Sequence, residues 1–412
     1  MSKQQENAMF ITLFAIATSF LMLFFDTIRL NFEPYQLTVL GLVAGTALFF
    51  AALILNITVL IPLQYLEQQL IPNVMEIIRR DIPLRLGRFY LFLFFLISPL
   101  CAPILLQMTP SHQHLFFLIW IVLLGLGLDI LMGNWKRYVD FLTPSFVVRY
   151  ISKQAEHAIQ NDKQAAFLND LNSLAEISIR SVETSKLALS TQTLQTFPPL
   201  LKVYFDSIKS ISHPTPTIAK QEEFGGGDAS NYIVFYLMQR LEMINDKALR
   251  DRQETVCRQM IISLGKIILN SSRFDLSMVS FPVHFLTKFG LKAQQHHFEE
   301  VTVLTTSTLL EVAKAILNDV NTTYAELQDP FQSIINGLAA IARGTFKKKK
   351  ETSIKVLVQP LIDLKTQLLS DKISQYKDSP YLVEQINNLL DEFLVLEQVM
   401  QSIPPIPDMG ET

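Results

Sequence analysis

Four runs of nearly uncharged apolar residues crowd the first third of the chain, beginning at Met9, Leu37, Phe89 and Leu115. Each is apolar on all faces, so none suits an ordinary amphipathic surface helix. A helix rises 1.5 Å per residue, and a hydrocarbon core of roughly 30 Å takes about 20 residues. The runs therefore predict membrane spans over residues 9–28, 37–63, 89–107 and 115–133. The first has too few basic residues before it and no small-residue cleavage site, so it reads as a retained span rather than a signal peptide. Pro99 and Pro103 interrupt the third, and a short polar turn joins it to the fourth as a hairpin. Tyr35, Tyr65, Tyr90, Trp135 and Tyr138 mark the edges, where a ring with one polar tip suits the headgroup zone.

Lys and Arg in the short loops set the orientation. Arg79, Arg80, Arg85 and Arg88 lie between the second and third spans, and Lys136, Arg137, Arg149 and Lys153 follow the fourth. The loop between the third and fourth has neither residue type, and that between the first and second has Arg29 alone. The basic segments are expected in the cytoplasm, and with them both termini. Within the loop from Gln64 to Arg88, Leu66, Leu70, Val74 and Ile78 recur at i+4. That pattern fits a helix lying in the cytoplasmic interface, with Pro72 near its start, or a plain extension of the second span.

Composition divides the chain in the same place. Charged residues are 18% of the whole, but most follow Trp135, so the later part has the make-up of a water-soluble domain. A net charge of −3 supplies no basic face for nucleic acid. With 14 glycines in 412 residues, helices are favoured over turn-rich β structure. Two isolated cysteines, Cys101 and Cys257, make no disulfide framework.

From Phe141 onward, apolar residues recur at mixed i+3 and i+4 steps in successive segments of roughly 12 to 25 residues. The expected class is all-α: a four-helix transmembrane region, then a cytoplasmic α-helical domain. That domain reads as an irregular bundle or a short HEAT- or armadillo-like solenoid. The divisions are a transmembrane region over 1–140, a first soluble helical segment over 141–211, a flexible linker over 212–230, a main soluble helical domain over 231–401 and a disordered tail over 402–412. The linker holds two prolines and Gly225–Gly227, with no Gly-Lys-Ser/Thr to make it a phosphate loop. A faint internal echo centres on Ala175, Gly265, Ala313 and Ala339, small residues flanked by aliphatics at spacings of about 90, 48 and 26.

Few residues offer chemistry. Intramembrane polar groups are functional candidates by default, which singles out Asp26, Asn56 and Asp129. Both acids lie near span ends, where water is close, and Asn56 suits a hydrogen bond to a neighbouring helix. Gly41 and Gly45 form G-x-x-x-G, a close-packing signature, within the span set rather than between chains. His112 with His114, and His296 with His297, read as solvated polar residues, since a metal needs three or four convergent ligands. Lys347, Lys348, Lys349 and Lys350 form the one dense basic run, a solvated loop or a contact with an anionic leaflet.

No nucleophile, acid–base pair or cofactor motif stands out by spacing, so neither an enzyme nor a cofactor is expected. The leading reading is a multi-pass protein of the cell (inner or plasma) membrane, with a cytoplasmic helical domain that acts as a scaffold for cytosolic protein partners. Two other classes fit the same features. One is an oligomeric channel or transporter, a homo-oligomer with Asp26, Asn56 and Asp129 near its pore. The other is a membrane-bound enzyme without a recognisable motif. Flux lost in Asp129→Asn would mark the first, and a co-purifying metal or nucleotide the second.

Overall fold

The computed structural model describes residues 34–106, 110–210, 229–319, 327–348, 354–370, 373–374 and 377–402. These residues are overwhelmingly helical, and no strand occurs among them. The chain divides into two compact units, Met1–Val147 and Val148–Thr412. The expected first span with Asp26, nearly all of the expected linker and the tail from residue 403 lie outside the described residues.

Three long helices make the described part of the first unit: α1 (Pro34–Gln69), α3 (Ile82–Leu106) and α4 (Pro110–Phe141), with the short α2 (Val74–Arg80) between α1 and α3. Each long helix packs on the other two. Their common seam is Leu48 and Ala52 of α1, Leu91 and Phe94 of α3 and Trp120 of α4. Small residues set the separation. A Cβ on Gly45 would lie 2.7 Å from Ser98 Cβ of α3, and one on Gly127 would lie 2.7 Å from Leu48 Cδ2 of α1. Gly45 thus serves packing inside the chain, while the surroundings of Gly41 are not among the described side chains.

Leu66, Leu70, Val74 and Ile78 are all buried, but not on one helix: Leu66 is on α1, Val74 and Ile78 are on α2, and Leu70 lies between them. The chain breaks at Leu70–Asn73, with Pro72 in the break and Asn73 in the left-handed region at φ 59. Asparagine tolerates that conformation better than most residues. The interfacial-helix pattern therefore describes Val74–Arg80, and the extended-span pattern describes the chain up to Gln69.

Among the described residues two helical stretches are long and apolar enough to cross a membrane, Val43–Gln69 and Ile119–Phe141. Where the sequence led to an expectation of four spans, the described helices supply two. The first expected span falls outside the described residues. The third falls on α3, whose side chains are described only as far as Ser98.

The second unit follows α5 (Pro144–Gln160), which runs across the division between units. It comprises α6 (Gln164–Glu183), α7 (Leu187–Leu194), α8 (Phe197–Ser210), α9 (Ala229–Arg250), α10 (Glu254–Phe274), α11 (Ser280–Gln295), α12 (Glu299–Asp319), α13 (Gln328–Lys348), α14 (Ile354–Leu368) and α15 (Ser379–Ser402). Packing runs in two layers. Helices α6, α9, α11, α13 and α15 lie side by side in that order, and α7 with α8, α10, α12 and α14 form the second layer. From α9 onward each helix packs on the next in sequence and on the next but one, which is the arrangement of a solenoid-like stack of helix pairs. Over that stretch the first-layer helices begin at residues 229, 280, 328 and 379, a repeat of about 50 residues. The sequence echo samples this repeat unevenly. Gly265 and Ala313 share the second layer, whereas Ala175 and Ala339 sit in the first, and all four are buried.

Apolar burial follows the helical period. On α10, the central helix, Val256, Cys257, Met260, Ile261, Leu264, Ile267 and Ile268 have no exposed surface. Truncating one such aliphatic to alanine costs about 2–5 kcal/mol. Threonine fills the closest crossings. A Cβ on Gly265 of α10 would lie 2.6 Å from Thr308 Cγ2 of α12, and one on Gly290 of α11 would lie 2.7 Å from Thr305 Cγ2. Thr305 satisfies its hydroxyl within its own helix, donating to the Val301 carbonyl at 2.8 Å.

The turns explain how so few glycines suffice. Four helices end alike, with a left-handed residue at Asp162 (φ 53), Ser185 (φ 57), Arg252 (φ 53) and His297 (φ 64). In each case that residue's N–H donates three residues back, and the next N–H donates five back: Arg252 to Leu249 and Gln253 to Ala248, His297 to Gln294 and Phe298 to Ala293. These are Schellman closures, which satisfy the last helical carbonyls and turn the chain at once into the next helix. No glycine occupies the strained position, where an L-residue costs about 1–2 kcal/mol. Arg252 is exposed, so Arg252→Gly is expected to raise stability by about 0.5–1 kcal/mol net of the added unfolded-state entropy, read as an increase in Tm.

Ion pairs tie α9 to α11. Lys292 Nζ lies 2.8 Å from Glu242 Oε1 and 2.7 Å from Asp246 Oδ1, and Lys288 Nζ lies 2.6 Å from Glu242 Oε1. Burial pushes the Glu242 carboxyl up, but hydrogen bonds from Lys288 and Lys292 outweigh it and leave the group below its ordinary 4.5. Burial likewise lowers Lys292, and its bonds to Asp246 and Glu242 outweigh that and hold it above 10.5. A depressed carboxyl adds stability above its unfolded pKa and loses it as pH falls through the folded one. A raised lysine adds stability below its unfolded pKa and loses it as pH rises through the folded one. The unit is therefore expected to weaken below pH 4.5 and above pH 10.5. Glu242→Gln should flatten the acid limb of a Tm-against-pH curve.

Candidate functional site

Polar chemistry in the first unit gathers at the α2–α3 junction and the last turns of α4. Asp81 is the residue between α2 and α3 and has no exposed surface. Its local role is that of an N-cap, since Oδ1 accepts the Leu84 N–H at 3.1 Å. Its longer-range partner comes from α4. Arg137 donates Nε to Oδ1 at 2.9 Å and Nη2 to Oδ2 at 2.7 Å, a bidentate pair across 56 residues of sequence. Removing one member of such a pair strands the other without compensation.

Three further hydrogen bonds cross between helices. Tyr138 OH donates to Asn56 Oδ1 at 2.6 Å, Trp120 Nε1 to Ser98 Oγ at 3.3 Å and Tyr90 OH to the Leu123 carbonyl at 2.9 Å. Asn56 also donates Nδ2 to the Ala52 carbonyl of its own helix at 2.7 Å. Its carboxamide is thus engaged on both ends, with Oδ1 tying α1 to α4 and Nδ2 bonded within α1. Asp129 is buried on α4, 7% exposed.

Arg79, Arg85 and Lys136 are exposed, and Arg80 pairs with Glu76 one helical turn back. Because Arg137 reaches Asp81, both basic segments of the first unit lie at the same end of its helices. Beside the ion pair, a groove of about 600 Å³ runs between α3 and α4. Gly87 and Gly133 line it, with Asn134 and Arg137 at its polar end and Leu86, Phe89, Leu93 and Ile130 along its length.

Other candidates fall elsewhere. Lys347 is exposed on the last turn of α13, the side chain of Lys348 is not described, and Lys349 and Lys350 lie outside the described residues. Arg343, one turn earlier, pairs with Glu392 of α15 at 2.6 Å. His112 and His114 lie in the first turns of α4, their side chains not described. His296 and His297 make the turn between α11 and α12, where Glu300 pairs with Arg258 at 2.7 Å. Among the described residues no group of three His, Cys, Asp or Glu is placed to hold a metal. Burial pushes the Cys257 thiol up to about 12, helped by Glu254, which keeps it protonated and unreactive near neutrality.

Asp81 and Asn134 were not among the sequence candidates. The run Arg-Arg-Asp-Ile-Pro carries a helix-start signature for Asp81, an N-cap followed by proline. Nothing local announces Arg137 as its partner.

No known family model matches the chain, and no curated protein does. Among solved structures it is similar to a "Circular tandem repeat protein with novel repeat topology and enhanced subunit contact surfaces", at 11% identity over 89% of this chain and 97% of that one. The TM-score is 0.21, too low to bear on fold or function.

The ion pair has a direct test. Arg137→Met is expected to destabilise the detergent-solubilised protein by about 3 kcal/mol, the lower end for a buried pair because the arginine is partly exposed. Arg137→Lys should fall between, keeping the charge but not the bidentate fit. Equal stability of all three proteins in thermal unfolding would remove the pair from this role.

Proposed function

We propose that the chain is a multi-pass membrane protein whose N-terminal unit is the anchor and whose helical stack is a cytoplasmic scaffold for protein partners. The observation that carries this reading is apolar surface left uncovered. The spanning windows of Val43–Gln69 and Ile119–Phe141 are only 22% and 28% buried, whereas a core helix of a water-soluble protein is mostly buried. Phe50, Ile54, Ile57 and Ile61 stand between 55% and 70% exposed on α1 alone. Uncovered side chains of this size and number call for a lipid solvent. With α3 and residues 9–28 as further spans, the chain would cross four times.

Orientation rests on charge. The two basic segments share one end of the unit, as expected for its cytoplasmic face. That end leads directly into α5, so the stack and the C-terminus are assigned to the cytoplasm. The scaffold role is supported by architecture: a two-layered stack presents extended surfaces between helices, the usual use of such repeats. The hydrogen bond from Tyr138 to Asn56 joins two helices, which favours an anchor over a pore for that residue.

Membrane fractions washed with alkaline carbonate provide the test. The full chain should stay in the pellet, and a reporter fused at Thr412 should be active only in the cytoplasm. Crosslinking in the native cell should capture a protein at fixed stoichiometry through the stack. Release by carbonate would overturn the anchor, and an extracytoplasmic reporter would overturn the orientation.

A further inference from the structure

Two polar groups of the groove between α3 and α4, Asn134 and Arg137, have hydrogen-bonding capacity to spare. Asn134 is 7% exposed and lines the groove, yet its carboxamide makes no hydrogen bond among the described residues. It lies over Gly87, where a Cβ would come within 2.6 Å of Oδ1 and 2.7 Å of Nδ2. Its carboxamide is not sealed off inside the protein, so an occupant of the groove can reach it. Arg137 spends Nε and Nη2 on Asp81, and its Nη1 makes no hydrogen bond among the described residues. The guanidinium is held rigid by the bidentate pair and remains 35% exposed.

The rest of the groove is apolar and open. Leu86 and Phe89 line it and are 59% and 62% exposed, continuous with the outward surface of α3. Gly133 adds no side chain, and a Cβ there would meet nothing within 4 Å. Arg79, Arg85 and Lys136 carry charge at the same end and make no ion pair among the described residues. The site therefore presents donors and positive charge at one end and a bare hydrocarbon channel running toward the middle of the helices. Basic pockets between spans on the cytoplasmic side are where anionic headgroups bind.

We propose that this groove binds one anionic glycerophospholipid, with its phosphate on Arg137 Nη1 and Asn134 Nδ2 and an acyl chain along Leu86, Phe89, Leu93 and Ile130. The inference rests on the N-terminal unit lying in a membrane. A phosphate suits the pair of donors because charge-assisted bonds to a guanidinium are strong, and Asn134 adds a second direction. The bound lipid would brace the Asp81–Arg137 junction from the bilayer side, tying anchor stability to membrane composition.

Native mass spectrometry of the detergent-solubilised full chain tests it, with phosphatidylglycerol and phosphatidylcholine as probes. One phosphatidylglycerol should be retained per chain in preference to phosphatidylcholine. Asn134→Leu should weaken its binding by about tenfold, the value of one hydrogen bond to a charged group. Gly133→Phe should fill the channel and abolish retention, while Leu128→Phe, outside the groove, should leave it intact. Equal binding of both lipids, unchanged by Asn134→Leu and Gly133→Phe, would overturn the site. So would a change of oligomeric state in Gly133→Phe without loss of lipid, which would assign the groove to a second copy of the chain. Should Gly133→Phe lose its helical circular dichroism, Asn134→Leu decides alone. Carbonate extraction separates the two levels: a chain that stays in the membrane but shows no lipid preference loses only the lipid site, and a chain that washes out loses the anchor as well.

Discussion

Three helices cannot cover one another when each is apolar on every side. In the N-terminal unit, α1, α3 and α4 meet along a seam at Leu48, Ala52, Leu91, Phe94 and Trp120, while large side chains such as Phe50, Ile54, Phe89 and Met132 are exposed. That geometric limit governs the rest of the unit. Burial against neighbours is small, so close approach has to come from Gly45 and Gly127 and specificity from a few polar bonds.

Polar groups gather where water is within reach. Asp81, Asn134, Arg137 and Tyr138 all sit at the end that carries the exposed basic residues. The bidentate pair does two things at once. It caps α3, and it joins the α2–α3 junction to α4 with a geometry that a simple apolar contact would leave loose. The groove exists because Gly87 and Gly133 remove side chains beside a rigid guanidinium. Its unpartnered donors and its open hydrocarbon walls follow from that single arrangement.

The second unit solves a different problem, that of stacking helix pairs on one another. Its closures at Asp162, Ser185, Arg252 and His297 reuse one hydrogen-bond pattern, and its crossings pair glycine with threonine. The helical class was legible in the i+3 and i+4 spacing. The repeat was only half legible. Its cue lay in small buried residues that fall in both layers, so their spacings in sequence mix steps within a layer and steps between layers. The turns were illegible because Schellman closures are made by backbone bonds, and here no glycine marks them.

Taken alone, the sequence determines that the chain is helical, that apolar surface is concentrated in its first third, and that charge begins near Trp135. These follow from local composition and period, which need no knowledge of what touches what. Tertiary structure decided the rest. It placed Asp81 against Arg137, engaged Asn56 with Tyr138, left Asn134 without a partner and ordered α6 to α15 into two layers. The physical reason is range. A helix is closed by bonds four residues apart, but a carboxylate's partner 56 residues away is chosen only when packing brings two helices side by side.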